Sequence, residues 1–316
     1  INESQLHIVD VKSGEMSPLT PKLKVPVSHQ NARFDPKLRA VYFTFDDGFD
    51  FQRLTRLDLN SGKYRYYLPQ VKWDVESFEI SPDGRALAVV TNEGGASNLR
   101  LLNSGSGMEQ WQPKLPAGVI GRVRWGSDTE LMYGFSWALS PGQVSHISTS
   151  SREKLKWIET DMAGLDIERF SLPYRTEWRS ADGTKFDAWV YNPGRFNNGV
   201  FEPVIPARPS PVVILFHGGP ESQFRPRFMG SNNYLMSEEK IVMICPNVRG
   251  SRGYGKKFLK SDNGREREKV LFDMQRIYNE VAVNPHYDQN RIAVMGGSYG
   301  GFMALHSMVK MNNFLK

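Results

Sequence analysis

Short apolar runs bounded by Gly, Asp and Ser fill the first half of the chain, and they recur in register. Phe34-Asp-Pro-Lys-Leu-Arg-Ala-Val-Tyr-Phe43 aligns without gaps on Ile80-Ser-Pro-Asp-Gly-Arg-Ala-Leu-Ala-Val89. Both align on Trp125-Gly-Ser-Asp-Thr-Glu-Leu-Met-Tyr-Gly134, so the leading residues stand 46 and then 45 positions apart. Each unit opens with a turn (Asp35-Pro36, Pro82-Asp83-Gly84, Gly126-Ser127-Asp128) and continues as an apolar strand. A second strand ends in a Ser-Gly turn: Leu54–Leu59 before Ser61-Gly62, and Leu99–Leu102 before Ser104-Gly105. Leu6–Val11 before Ser13-Gly14 reads as the tail of an earlier unit. A period near 45 built of short strands is the pattern of β-propeller blades, at about 40–50 residues per four-stranded blade. An irregular all-β sandwich is the alternative, and the regular register speaks against it.

From about residue 169 the pattern changes. Thr176–Tyr191 reads as a hairpin, with Ala181-Asp182-Gly183-Thr184 at the turn and Phe186, Ala188 and Val190 alternating. A Pro/Asn/Gly-rich loop is expected over Asn192–Pro211, then a buried strand Val212–Phe216 running into His217-Gly218-Gly219-Pro220. A polar, partly helical connection leads to a strand over Ile241–Cys245 and a loop over Asn247–Gly255. Val270, Met274, Ile277, Tyr278 and Val281 fall at helical spacing, which predicts an amphipathic helix over about 267–282, ended by Asn284-Pro285. The run Ile292–Met295 predicts one more strand, and Phe302, Leu305 and Val309 mark one face of a final helix. Strands alternating with helices imply a doubly wound, mostly parallel sheet. The expected fold is therefore an incomplete β-propeller over 1–168, followed over 169–316 by the N-terminal part of an α/β-hydrolase domain.

The chemistry concentrates where the last strand meets the last helix. Gly296-Gly297-Ser298-Tyr299-Gly300 has the G-x-S-x-G form, in which a serine sits on a strained turn and side chains at 296 and 300 would collide. The amide of Tyr299, opening the next helix, is then aimed at an oxyanion formed on a carbonyl attacked by Ser298. Alone the pentapeptide is equally consistent with a glycine-rich β-to-α turn. A second glycine turn, His217-Gly218-Gly219-Pro220, closes a buried strand and lets backbone amides approach a ligand. Each turn is ambiguous alone; together, one strand–helix–strand–helix unit apart, they point to a carbonyl-attacking hydrolase.

Three segments carry a family resemblance: F-H-G-G-P-E-S-Q (216–223), P-N-V-R-G-S-R-G-Y-G (246–255) and R-I-A-V-M-G-G-S-Y-G-G-F (291–302). They resemble the prolyl oligopeptidase family of serine peptidases, and more closely its acylaminoacyl-peptidase and dipeptidyl-peptidase-like branches. The hairpin S-A-D-G-T-K (180–185) fits the entry to that family's hydrolase domain. The resemblance implies a propeller capping a hydrolase, with short peptides cleaved in the cavity between them. It makes Ser298 the nucleophile, gives the Tyr299 amide one oxyanion contact, and sets the Tyr299 ring beside the pocket for the residue before the scissile bond. Where some members place a tyrosine hydroxyl as second oxyanion donor, this chain has His217. The donor is then a backbone amide of 217–219, Gly218 included, or the imidazole.

Such a triad runs Ser, then Asp or Glu, then His along the chain. The 18 residues after Ser298 hold no acid and one histidine, His306, on the helix leaving the nucleophile. His217 and His286 precede the serine. The expectation is a piece of a longer enzyme, without its base, and inactive alone. Three readings remain: a serine peptidase, an esterase or acyl hydrolase on the same scaffold, and a propeller interaction protein with a degenerate hydrolase module.

Composition trims these options little. A formal charge of +6 is spread among 34 acids, which disfavours a nucleic-acid face, and no apolar run is long enough for a membrane span. Cys245 is the only cysteine, so no intrachain disulfide forms, and its apolar neighbours predict a buried thiol. Neither it nor the first residue, Ile1, points to a compartment. Gly250–Lys256 fits the opening of a phosphate-binding loop, but Lys257 stands where that loop needs Ser or Thr. Arg249 and Arg252 read as structural charges beside the cleft. Neither a metal nor a cofactor is expected; the partners are short peptides, with a homo-oligomer left open.

Overall fold

The computed structural model describes residues 3–46, 48–197, 200–203 and 208–315. A hairpin, β1 (His7–Val9) with β2 (Met16–Pro18), precedes three four-stranded antiparallel sheets. The first is β3 (His29–Phe34), β4 (Ala40–Phe45), β5 (Arg53–Asp58) and β6 (Tyr64–Tyr66). The second is β7 (Asp74–Ile80), β8 (Ala86–Glu93), β9 (Ala96–Asn103) and β10 (Glu109–Trp111). The third is β11 (Gly118–Trp125), β12 (Glu130–Trp137), β13 (Ser140–Ser148) and β14 (Lys154–Glu159). Each is a meander in sequence order, as in a propeller blade. Phe34, Ile80 and Trp125, which lead the aligned repeats, end the first strand of each sheet.

The repeat is also bonded to itself across blades. Asn31 Nδ2 donates to Glu76 O (3.1 Å), Asp83 N to Asp128 Oδ1 (2.8 Å) and Trp125 Nε1 to Glu79 O (3.3 Å), each pair about one period apart. The two faces of β8 explain its unbroken burial. Leu87 and Val89 pack with Tyr42, Leu54 and Phe78 in the core shared by the first two blades, while Ala88 and Val90 pack with Val123, Leu131 and Ile147 toward the third. One turn recurs at the outer hairpins: Asp10, Asp58 and Asn103 each accept from the amide and hydroxyl of a serine three residues on, before a glycine of positive φ. In the second blade these are Ser106 and Gly107 (φ 75°), not the Ser104-Gly105 pair expected from the sequence. Asn103, three places before Ser106, is the residue whose side-chain oxygen caps the turn.

The second half is built on one five-stranded sheet. Its strands are β15 (Pro173–Arg179), β16 (Lys185–Tyr191), β19 (Ser210–Phe216), β20 (Val242–Asn247) and β21 (Tyr287–Gly296), in the order β15-β16-β20-β19-β21. β20, β19 and β21 are mutually parallel, and β16 is antiparallel to both β15 and β20, so four of the five strands point the same way and only β16 is reversed. The expected loop after Tyr191 contains a small hairpin, β17 (Gly194–Asn197) with β18 (Val200–Pro203); residues 198–199 and 204–207 lie outside the described set. The described residues hold four α-helices: α1 (Asn232–Ser237), α2 (Lys256–Leu259), α3 (Val270–Val283) and α4 (Tyr299–Lys310).

Alternate side chains of the inner strands feed two cores. Phe186, Ala188, Val212, Ile214, Val242 and Ile244 meet α3 and α4 on one face, while Trp189, Tyr191, Val213, Met243 and Cys245 meet Met236 of α1 on the other. The stripe expected on α3 is the one buried there, Val270, Met274, Ile277, Tyr278 and Val281. For α4 the expected face faces out. Phe302, Leu305 and Val309 are exposed, and the helix packs through Tyr299, Gly300, Met303 and Ser307. Apolar spacing locates a helix face, but here the buried face combines Tyr299 and Met303 with Gly300 and Ser307, and Gly300 is what lets the helix approach Phe216 O closely.

Candidate active site

The parallel strands β20, β19 and β21 all end at the same edge, and three loops meet there: 247–255, 217–223 and the turn at Ser298. Ligands of open α/β sheets collect at this edge. Ser298 has φ 54° and ψ −119°, a conformation that costs a non-glycine residue about 1–3 kcal/mol. Its neighbours are glycines for a steric reason. A Cβ at Gly296 would stand 2.3 Å from Gly300 O, and one at Gly300 would stand 2.2 Å from Phe216 O. The result is a tight turn with Ser298 exposed at its apex and Tyr299 opening α4, where the first helix amides lack intrahelical partners.

The His217 loop lies directly against this turn. A Cβ at Gly218 would meet Gly297 O at 3.2 Å and the Ser298 Cβ at 3.6 Å, so the backbone of Gly218 abuts Ser298. The His217 side chain goes the other way. Its Nε2 lies 2.9 Å from Ser251 Oγ on the β20 loop and its Nδ1 3.0 Å from Gly218 O. Burial pushes the His217 pKa down, against a smaller opposing effect of the Gly218 carbonyl. Tyr299 is buried rather than lining an open pocket: its ring stacks on Phe302 and its hydroxyl is 3.3 Å from Asp262 Oδ2. Asp262 is wholly buried, paired with Arg267 (3.2 Å), and presses on Gly250.

Beneath the β20 loop lies a charge cluster with little sequence signal. Arg249, 2% exposed, is held by Asp273 Oδ1 (2.7 Å) and Oδ2 (3.0 Å) and by Asp182 Oδ2 (2.7 Å). Burial opposes its charge, but the hydrogen bonds to Asp273 and Asp182 outweigh this and raise its pKa. The same contact holds Asp182 down at about 2. Arg249 thus stands as the structural charge the sequence suggested. The Gly250–Lys256 segment binds within the protein: Lys256 pairs with Asp46 at 3.0 Å and its amide donates to Asp50 O.

No histidine among the described residues hydrogen-bonds Ser298. His306 packs at a tilt beside Phe302. His286 precedes β21, whose Tyr287 is level with Ser210 and whose Gly296 is level with Phe216, so His286 lies about 20 Å from the Ser298 turn. No cluster of three or more metal-ligating side chains occurs among the described residues, nor any helix long and apolar enough to cross a membrane.

The blades cover this edge. Arg225 reaches Glu76 with two nitrogens, Gly95 O (2.8 Å) and Ser97 Oγ (2.9 Å); Asn92 Nδ2 donates to Gln223 Oε1 (2.8 Å). Trp189 Nε1 donates to Gly94 O at 2.8 Å. Between the parts lie a hollow of about 450 Å³ beside His217, Arg225 and Arg252, and one of about 190 Å³ beside Asp46, Asp74 and Lys256; Glu76, Asn92 and Arg252 line both.

Residues 226–315 match the sequence model of the prolyl oligopeptidase family. Over 272 residues the chain is 24% identical to dipeptidyl-peptidase 5 of Porphyromonas gingivalis, covering 81% of this chain and 36% of that protein. Over 96 residues it is 35% identical to the acylamino-acid-releasing enzyme of Rattus norvegicus, covering 30% of this chain and 13% of that one. Its fold is that of a solved prolyl endopeptidase (TM-score 0.81, 18% identity, 99% of this chain and 44% of the other) and of a puromycin hydrolase (TM-score 0.79, 21% identity, 95% and 45%). The chain therefore spans less than half the length of these relatives.

Proposed function

We propose, from the premise that its C-terminal part belongs to the prolyl oligopeptidase family, that this chain supplies the nucleophile and oxyanion site of a serine peptidase acting on short peptides. The observation that carries the reading is the strained turn at Ser298 with the Gly218 backbone packed against it. In this reading Ser298 Oγ attacks the peptide carbonyl carbon, and the new C–O bond turns the carbonyl oxygen into an oxyanion. The amide of Tyr299 and an amide of the 218–219 loop receive that charge. The C–N bond then breaks, the amine leaves with a proton, and water hydrolyses the acyl-enzyme. The placement of the imidazole on Ser251 favours a backbone donor over His217 itself.

A serine hydroxyl is a weak nucleophile until a base takes its proton. The described histidines are bonded elsewhere or distant, so the base in this reading is a histidine outside them, oriented by an acid. Residues 1–316 by themselves then lack peptide turnover. We divide the chain into blades over 1–168 and a hydrolase part over 169–316, with the hollows between them admitting peptides and excluding folded substrates.

The test is the full-length protein on a short chromogenic peptide and on folded albumin, with Ser298→Ala as control. Peptide cleavage lost by several orders of magnitude in Ser298→Ala, with albumin intact, is the expected result. Near-normal cleavage by Ser298→Ala would overturn the reading.

A further inference from the structure

The clearest feature this reading leaves unused is the contact between His217 and Ser251. β19 lies between β20 and β21 in the sheet, so the loop leaving β19 can touch both neighbours. It does so with different parts. The Gly218 backbone meets the Ser298 turn on the β21 side, and the His217 imidazole meets Ser251 on the β20 side.

We propose that Ser251 is a positioning residue of the oxyanion site: its hydroxyl ties the His217 imidazole to the β20 loop and so holds the adjoining backbone against Ser298. The proposal rests on the peptidase reading for its kinetic consequence, though not for the contact itself.

Hydrogen counting ties the direction of each bond to the tautomer of His217. Gly218 O can only accept, so Nδ1 of His217 carries the proton at 3.0 Å. A neutral imidazole then has only the Nε2 lone pair left, and in this proposal the single proton of Ser251 Oγ, 2.9 Å away, goes to that lone pair. Ser251 is wholly buried, so its hydroxyl has no water to turn to. Val248 O, 2.6 Å from the hydroxyl, accepts the Ser251 amide at 3.1 Å and has a second lone pair, so it competes with Nε2 for the hydroxyl proton. The tautomer of His217 reports which acceptor holds that proton. Burial favours the neutral ring this scheme requires. The charged groups sharing the hollow beside the imidazole are Glu76 of β7 and Arg225, Arg227 and Arg252 of the two loops; Glu76 is engaged by Arg225. The two remaining guanidinium groups also act against an imidazolium.

The β20 loop is a firm post for such a tie. Two residues before Ser251, Arg249 is locked to Asp273 and Asp182, and Gly250 N donates to Phe258 O at 3.1 Å. Ser251→Ala removes the donor to Nε2 and leaves the post standing. The loop then loses its side-chain tether, and the oxyanion amide is placed less well in the transition state than in the ground state.

The test combines imidazole nitrogen NMR with kinetics on the full-length protein. In wild type, the His217 signals are expected to report a neutral ring protonated at Nδ1 at pH 7. In Ser251→Ala the His217 pKa should rise, because the neutral ring has lost its hydrogen-bond donor. There kcat for a short peptide should fall about tenfold or more with KM changed less than about twofold, and Ser251→Thr should restore both readouts. A wild-type ring protonated at Nε2, or kinetics and His217 signals unchanged in Ser251→Ala, overturns the proposal. The NMR arm needs no activity, so it decides the contact even if the wild-type protein does not cleave peptides, a result that would sink the peptidase reading instead.

Discussion

A methyl group separates the two kinds of glycine in the Ser298 turn. At Gly297 a Cβ would meet nothing within 4 Å, whereas at Gly300 it would be driven into Phe216 O at 2.2 Å and His217 O at 3.0 Å. Gly300→Ala should therefore cost about 3 kcal/mol or more in urea unfolding, and Gly297→Ala less than about 1 kcal/mol. Equal costs would show that the turn is not as tight as this geometry. A second residue carries a pH signature. Burial raises the Asp74 carboxyl to about 6, against the Gln52 amide and Arg252, which favour its charge. A pKa raised above the unfolded value, about 3.9, means a contribution to stability complete below pH 4 and lost as pH rises through 6. Asp74→Asn keeps an acceptor for the Gln52 amide (2.8 Å) and removes that loss. Relative to wild type the variant should gain about 1–3 kcal/mol between pH 4 and pH 8. A difference independent of pH would contradict the assignment.

At the scale of elements, the β20 loop depends on one buried charge cluster. Arg249 is 2% exposed and Asp273 wholly buried, with Ser180 also donating to Asp273 at 2.5 Å. Breaking such a pair leaves an uncompensated charge, so Asp273→Leu should destabilise by about 3–5 kcal/mol in denaturant titration. A loss under about 1 kcal/mol would mean that water or another group takes over. This cluster and the Ser251–His217 bond join residues far apart in the chain, and no local pattern announces such contacts. What was legible came from local chemistry. Asp or Asn, Ser and Gly write the blade turns, G-x-S-x-G writes the strained elbow, and the α3 stripe writes a buried face. The orientation of α4 was not legible, because Phe302, Leu305 and Val309 have helical spacing whether or not anything covers them. The β17–β18 hairpin was hidden for a similar reason, since Pro, Asn and Gly mark turns without saying which turns close a hairpin.

At the scale of the whole molecule, the blades and the sheet are fastened where the proposed chemistry lies. Glu76 and Asn92 from the second blade grip Arg225 and Gln223, a few residues beyond the Gly218 backbone, and Asp46 of the first blade holds Lys256. All of this presumes that Ser298 is the nucleophile. The most direct measurement is to treat the full-length protein with a fluorophosphonate, digest it, and locate the adduct by mass spectrometry. The account predicts one phosphonylated residue, Ser298, with none in Ser298→Ala. An adduct on another residue, or a wild-type protein that takes up no probe while hydrolysing peptides, would contradict it.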